Sequence, residues 1–195
     1  MLNQSADTYT HILGTHSSVA PFRCAGNSHV PFCDTGAMEL RFADTADLPA
    51  ITQLINQAFS VELFFKAGDR ITIDEVQRLF EKGRFMLLEE DGRIEGSAYV
   101  ELRGERAYLG LLSTNPARQR SGIGSRLTTA AEEFARESGC QFMDLRVVNL
   151  REELPIIYKK FGYQVTGTEE VEVEVGQHFT QPAHFINMSK ELGHR

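Results

Sequence analysis

Apolar positions along this chain of 195 residues recur with two periods, and the change from one to the other marks out the elements. The first 37 residues follow neither. They are rich in Ser, Thr, His, Gly and Pro, and they read as a flexible extension, with residues 38–195 as the folded domain. A short strand, Glu39-Leu40-Arg41-Phe42, comes next. Leu48, Ile51, Leu54, Ile55, Ala58 and Phe59 then recur at helical spacing, after cap candidates Asp44 and Asp47 and with Pro49 in the first turn. Ser60 to Arg70 breaks that pattern. A second helix is expected from Thr72 to Lys82, opened by a Thr72/Glu75 capping box and striped by Val76, Leu79 and Phe80. From Gly83 the pattern is that of strands: Arg84–Glu90, Ile94–Leu102 and Arg106–Ser113, joined by turns at Asp91-Gly92 and Arg103-Gly104, which make an antiparallel meander.

The remaining elements follow in a different order. Ile123, Leu127, Ala130, Ala131, Phe134 and Ala135 form one face of a helix that stops at Gly139. Cys140 to Val148 is a strand. Strand, helix, strand of this length is a right-handed crossover, so the two flanking strands are parallel. A helix from about Glu152 to Phe161 ends at Gly162, and Tyr163–Val175 and Ala183–Leu192 close the chain as a pair of strands. The fold class is α+β, with a mixed, mostly antiparallel sheet flanked by helices.

The chemistry concentrates between the third meander strand and the helix after it. Leu112-Ser113-Thr114 ends a buried strand, Asn115-Pro116 turns the chain, and Gln119-Arg120-Ser121-Gly122-Ile123-Gly124-Ser125 enters the helix. Gly122 and Gly124 remove Cβ where a ligand comes close to backbone amides. Those amides sit at a helix N-terminus, where free N–H groups and the helix dipole attract an anion. Arg118 and Arg120 add positive charge. The segment is therefore suited to a phosphate-bearing ligand. It is not a P-loop, because Gly124 is followed by Ser125-Arg126 rather than Lys-Ser/Thr. Nor is it a dinucleotide fingerprint: Leu127 holds the place of the third glycine, and Asp144 falls near the start of its strand rather than at the far end.

The Gln119-x-x-Gly122-x-Gly124 pattern instead resembles the pyrophosphate loop of the GNAT family, the Gcn5-related N-acetyltransferases. A second stretch, Asn149-Leu150-Arg151-Glu152-Glu153-Leu154-Pro155-Ile156-Ile157-Tyr158-Lys159-Lys160-Phe161-Gly162-Tyr163, is similar to the family's later motif. The resemblance covers roughly Met38 to Leu192. It implies the acyl-CoA N-acyltransferase fold, with a V-shaped split between two parallel strands, and acetyl-CoA as co-substrate. The pantetheine arm would bond the backbone of Leu112, Ser113 and Thr114. The pyrophosphate would rest on the amides of Gln119, Arg120, Ser121, Gly122, Ile123, Gly124 and Ser125, with Asn149 also on the cofactor. Tyr158 would be the acid that protonates the departing thiolate. The residue pattern does not identify the base. Glu101 and Glu62 are candidates, each also readable as a solvated carboxylate, and His178 and His184 read as surface histidines. Phe64 and Phe65 could line an acceptor pocket or belong to the core.

Composition narrows the field further. A net charge of −7 argues against broad nucleic-acid binding and against docking on an anionic membrane. No apolar run approaches the ~20 residues of a membrane span, and the start lacks the basic-then-apolar order of a signal peptide. Three cysteines, Cys24, Cys33 and Cys140, make no disulfide framework, so the expected location is cytoplasmic. Cys24, His29 and Cys33 are too few for a metal site without a paired CxxC, and no metal is expected. The expected activity is direct acetyl transfer from acetyl-CoA to a primary amine of a small molecule or peptide. Its rivals are a non-catalytic acyl-CoA-binding module and a nucleotide-binding regulatory domain. Exposed strand edges near the C-terminus could pair in a homodimer.

Overall fold

The continuous apolar run Phe85-Met86-Leu87-Leu88 requires a strand covered on both sides, because successive side chains on a strand point to opposite faces. The structure, a computed structural model, satisfies this requirement; it describes residues 38–170 and 178–193. The strand β3 (Arg84–Glu90) lies within a seven-stranded sheet. Phe85 and Leu87 face one core, shared with Ile51 and Ile55 of α1 (Leu48–Ala58) and Val76 of α2 (Ile73–Lys82). Met86 and Leu88 face the other, packed with Ile123, Leu127, Ala131 and Ala135 of α3 (Ile123–Glu137). All eleven of these residues except Met86 are 0 or 1% exposed, and each buried Val, Leu, Ile or Phe side chain contributes roughly 1.5–3 kcal/mol by leaving water.

The sheet order is β1 (Glu39–Phe42), β3, β4 (Arg93–Arg103), β5 (Arg106–Thr114), β6 (Phe142–Val148), β9 (His184–Glu191), β7 (Gln164–Glu170). The β3–β4–β5 meander is antiparallel, and β5 and β6 are parallel across the α3 crossover, as expected. The two closing strands pair with each other, as expected, and β9 is the inner one, paired with both β6 and β7. The reason is burial. β9 carries Met188, 1% exposed, into the α3 core, whereas every residue of β7 is exposed, as suits an edge strand. Residues 171–177, at the end of the expected Tyr163–Val175 strand, lie outside the described residues. So do residues 1–37, with Cys24, His29 and Cys33.

Helix starts obey the local chemistry. Thr72 Oγ1 accepts from the Glu75 amide at 3.3 Å and Glu75 accepts from the Thr72 amide at 2.7 Å, the reciprocal box expected for α2. Asp44 caps a single 3-10 turn, Thr45–Asp47, which precedes α1 rather than forming its first turn. The Ser60–Arg70 break is a 3-10 turn, Phe59–Glu62, followed by a two-residue strand β2 (Lys66–Ala67). That strand pairs with β8 (His178–Phe179), a clip that joins two distant parts of the chain. The last helix is α4 (Glu153–Lys160).

One glycine governs how closely α3 approaches the sheet. A Cβ on Gly96 of β4 would lie 2.4 Å from Ile123 Cγ2 and 2.9 Å from Leu127 Cδ1. Gly96→Ala therefore forces the first turn of α3 off the sheet. Overpacking of this kind costs about 2 kcal/mol, and the expected loss is measured by urea unfolding of the two proteins.

Candidate active site

Strands β5 and β6 are paired only at Arg106–Phe142, Ala107–Met143 and Tyr108–Asp144. Beyond Tyr108 the two strands have no paired positions, although β5 continues to Thr114 and β6 to Val148. The β6-facing edge of Leu109–Thr114 is thus without a strand partner among the described residues. At the fork, Arg106 holds both carboxylate oxygens of Asp144, donates to Ser189 Oγ at 2.9 Å, and lies over the Phe142 ring at 4.6 Å. Asp144 is thereby committed to closing the fork, which agrees with rejecting it as a ribose-binding acid.

A bulge shapes the open part of β5. Ser97 is opposite Ser113 and Tyr99 is opposite Gly110, so Leu111 and Leu112 together face Ala98. Leu111 has a φ of +47°. Such bulges re-aim backbone and side chains beside functional sites. Ser113 is buried, and its hydroxyl donates to the Leu111 carbonyl at 2.9 Å.

The glycine-rich loop meets this opening at the start of α3. Arg120 has φ +65°, and Gly122, the residue before the helix, has φ +85° in open space. Two successive turns of the chain through the left-handed region bring the loop round so that α3 begins at Ile123. A Cβ on Gly124 would lie 3.8 Å from Thr114 Oγ1 and 3.9 Å from Leu112 Cδ2, so this glycine faces the end of β5 across the opening. Arg118 adds less charge to the loop than its sequence position suggests, because it is ion-paired with Glu90 and holds that carboxyl below the usual range. Arg120 makes no ion pair among the described residues.

A single cleft of about 1150 Å³ runs through the split. Leu112, Thr114, Gln119, Arg120, Gly122, Ile123, Gly124 and Ser125 line it, as does Tyr158 from α4. Ser113, Ser121 and Asn149 do not. The Asn149 side chain instead accepts the His184 amide at 2.9 Å, while its own amide donates to the His184 carbonyl at 2.9 Å, tying the end of β6 to the start of β9. Tyr158 is 8% exposed and packs edge-on against Tyr163 at 5.6 Å. Burial, helped by the nearby Tyr108 phenol, pushes its hydroxyl up to about 12. It therefore keeps its proton at neutral pH.

The two carboxylate candidates both line the cleft but sit in opposite environments. Glu101 is bonded by Arg103 at 2.9 and 3.0 Å and by the Tyr99 hydroxyl at 3.1 Å, and its carboxyl is held low by the Arg103 bond above all. Glu62 is 7% exposed, with Arg151 at 3.5 Å and Arg70 at 3.8 Å; desolvation outweighs these cations and raises its carboxyl. Phe65 is buried, stacked on Phe179 at 6.0 Å, and lines the cleft; Phe64 is 55% exposed.

Residues 48–163 match the acetyltransferase (GNAT) family. The chain belongs to this family. The solved GNAT-type structures agree on the fold. The ribosomal-protein-S18-alanine N-acetyltransferase of Escherichia coli superposes with a TM-score of 0.69 at 16% identity, over 82% of this chain and 96% of that one. An N-acetyltransferase from Staphylococcus aureus Mu50 gives 0.64 at 18%, over 80% and 99%. The Salmonella typhimurium protein yncA, solved with its cofactor acetyl-CoA, gives 0.63 at 23%, over 82% and 96%. Membership accounts for the open mixed sheet and the forked parallel pair. Lys66 and Arg70 also line the cleft, and the sequence pattern gives them no role because they lie in the least patterned segment. Gly96 was also passed over, although a glycine inside a strand is itself a sign of close approach. Among the described residues no His, Cys, Asp and Glu group could hold a metal ion, and no helix is long and apolar enough to cross a membrane.

Proposed function

We propose that this GNAT protein transfers the acetyl group of acetyl-CoA directly to a primary amine. The observation that carries this reading is the fork between β5 and β6, into which the Gly122–Ser125 helix start, the unpaired edge of β5 and the Tyr158 phenol all open. The residues fit the co-substrate in three ways. The helix start offers free amides to a diphosphate. The free edge of β5 can pair with the amide groups of a pantetheine arm as with an added strand. The volume exceeds the roughly 300–1,000 Å³ of a pocket for one small ligand, which leaves room for an acceptor.

Acetyl-CoA supplies an activated thioester carbonyl. The amine nitrogen attacks that carbon, the N–C bond forms, and the C–S bond breaks. A backbone N–H of the bulged Leu111–Leu112 stretch would steady the developing oxyanion. The leaving thiol has an ordinary pKa of about 8.5, so a phenol that stays protonated can hand it a proton. That is the role of Tyr158. The amine must lose a proton as well. Glu62 is better tuned to collect it than Glu101, since burial raises the first and Arg103 holds the second down. No acyl-cysteine is needed: Cys140, the one cysteine among the described residues, is buried outside the cleft.

Release of free thiol from acetyl-CoA, across a panel of amines, tests the reaction. Glu62→Gln tests the base. A base works deprotonated, so kcat/KM should climb with pH through the raised Glu62 value. The Gln variant should lose that acidic limb and about tenfold at pH 7, because water can partly replace a base that only collects a proton. An unchanged limb would return the role to Glu101 or to solvent.

A further inference from the structure

Lys66 is 5% exposed yet makes no ion pair among the described residues. Its ammonium has only two long contacts, to the Arg70 carbonyl at 3.2 Å and the Asp69 carbonyl at 3.4 Å. Burying a cation without a counter-charge is costly, and the group either gives up its proton or gains by pairing with an anion. Arg70 beside it is in a similar state. Its guanidinium is held over the Phe59 ring at 5.2 Å, and its Nε is buried with no hydrogen-bond acceptor. The nearest carboxylate, Glu62, is 3.8 Å away and is shared with Arg151 at 3.5 Å, which is itself bonded by Glu153 at 2.6 Å. Glu62 is thus divided between two arginines, and Lys66, Arg70, Glu62 and Arg151 all line the cleft that holds Tyr158.

The position is built rather than incidental. Asn56 of α1 bonds both the amide and the carbonyl of Ile71, at 3.0 and 2.9 Å, and fixes the chain beside Arg70. The β2–β8 clip fixes Lys66, and the Thr180 amide donates to the Phe65 carbonyl at 2.8 Å beside it. Burial, then the Arg70 charge, lowers the lysine's proton affinity; an anion placed between the two cations would restore it.

We propose that the acceptor is an amine that also carries an oxyanion, a carboxylate or a phosphate, which docks on Lys66 and Arg70 and leaves its nitrogen toward Glu62. This inference rests on the acetyltransferase reading above. Guanidinium and ammonium groups both bind such oxyanions through charge-assisted hydrogen bonds, the guanidinium with a planar fork. The carboxylates of Glu62, Glu75 and Asp69 act on the Lys66 ammonium from a distance and none of them bonds it, so an incoming oxyanion can accept from both cations.

The test uses the full chain and two matched pairs of acceptors: an α-amino acid against its carboxamide, and phosphoethanolamine against ethanolamine. Thiol release gives kcat/KM, and calorimetry on the protein saturated with coenzyme A gives acceptor binding. A charged hydrogen bond implies roughly a tenfold preference or more for the anionic member of at least one pair; the pair that shows it tells carboxylate from phosphate. Arg70→Gln and Lys66→Met, each checked for an intact melting transition, should bring that preference toward one. A preference near one in both pairs, or one that neither variant moves, overturns the anion site. The two claims fail separately. Equal acetylation of anionic and neutral amines removes the anion site and keeps the reaction, whereas tighter binding of the anionic amines with no thiol release keeps the site and removes the reaction.

Discussion

Tyr158→Phe is expected to lower kcat by roughly a hundredfold or more, the lower end of what a positioned general acid contributes, while the affinity for acetyl-CoA stays within about twofold. The split follows from where the hydroxyl acts. Tyr158 lines the cleft and is otherwise a packed ring against Tyr163, and phenylalanine preserves that packing. What it removes is one proton, held at neutral pH because burial pushes the phenol up to about 12. The loss should be largest with acetyl-CoA and smaller with an aryl thioester, whose thiolate leaves without help. Equal losses on both thioesters would move the phenol from proton donor to packing residue. A non-catalytic acyl-CoA-binding module would show no turnover in the wild-type protein either.

Gly124→Glu should cost acetyl-CoA at least roughly a hundredfold in affinity with little effect on folding. The first Cβ atom fits, at ordinary contact distance from Thr114 and Leu112, and an acidic residue in the first turn of a helix is favourable to the helix itself. The rest of the side chain has to extend into the opening between β5 and α3 and place a carboxylate where a diphosphate is to sit. Two like charges about 4 Å apart cost ~4 kcal/mol at the dielectric of a protein surface, before any steric loss. Calorimetric titration with acetyl-CoA, alongside urea unfolding, separates the two effects. Unchanged affinity would mean that the anion site lies elsewhere.

These expectations draw on features that were readable locally and on others that were not. The capping box of α2, the meander turns and the Gly122–Gly124 helix start depend on residues a few positions apart, so the chain spells them out. The apolar run of β3 announces a strand buried on both faces before any partner is known. The place of β9 between β6 and β7 is another matter, because it is decided by which strand carries Met188 into the α3 core, a contact between distant parts of the chain. The acceptor side was hidden for the same reason. Glu62, Lys66 and Arg70 come from a segment without period, and their common setting depends on the clip to His178–Phe179 and on Arg151 reaching across from beyond β6. Side-chain commitments are the third blind spot. Arg118 looks like a loop cation until Glu90 is seen to hold it, and Asn149 looks free until the His184 backbone is found on it.

The central claim is that the forked strands and the amides leading into α3 form one binding site for a diphosphate with a thiol-bearing arm. Titrating the full chain with acetyl-CoA in a calorimeter, with ATP as the comparison, tests it most directly. The account predicts saturable one-to-one binding of acetyl-CoA and at least tenfold weaker binding of ATP, which lacks the arm that lies along β5. No heat with acetyl-CoA, or equal affinity for the two ligands, would contradict it.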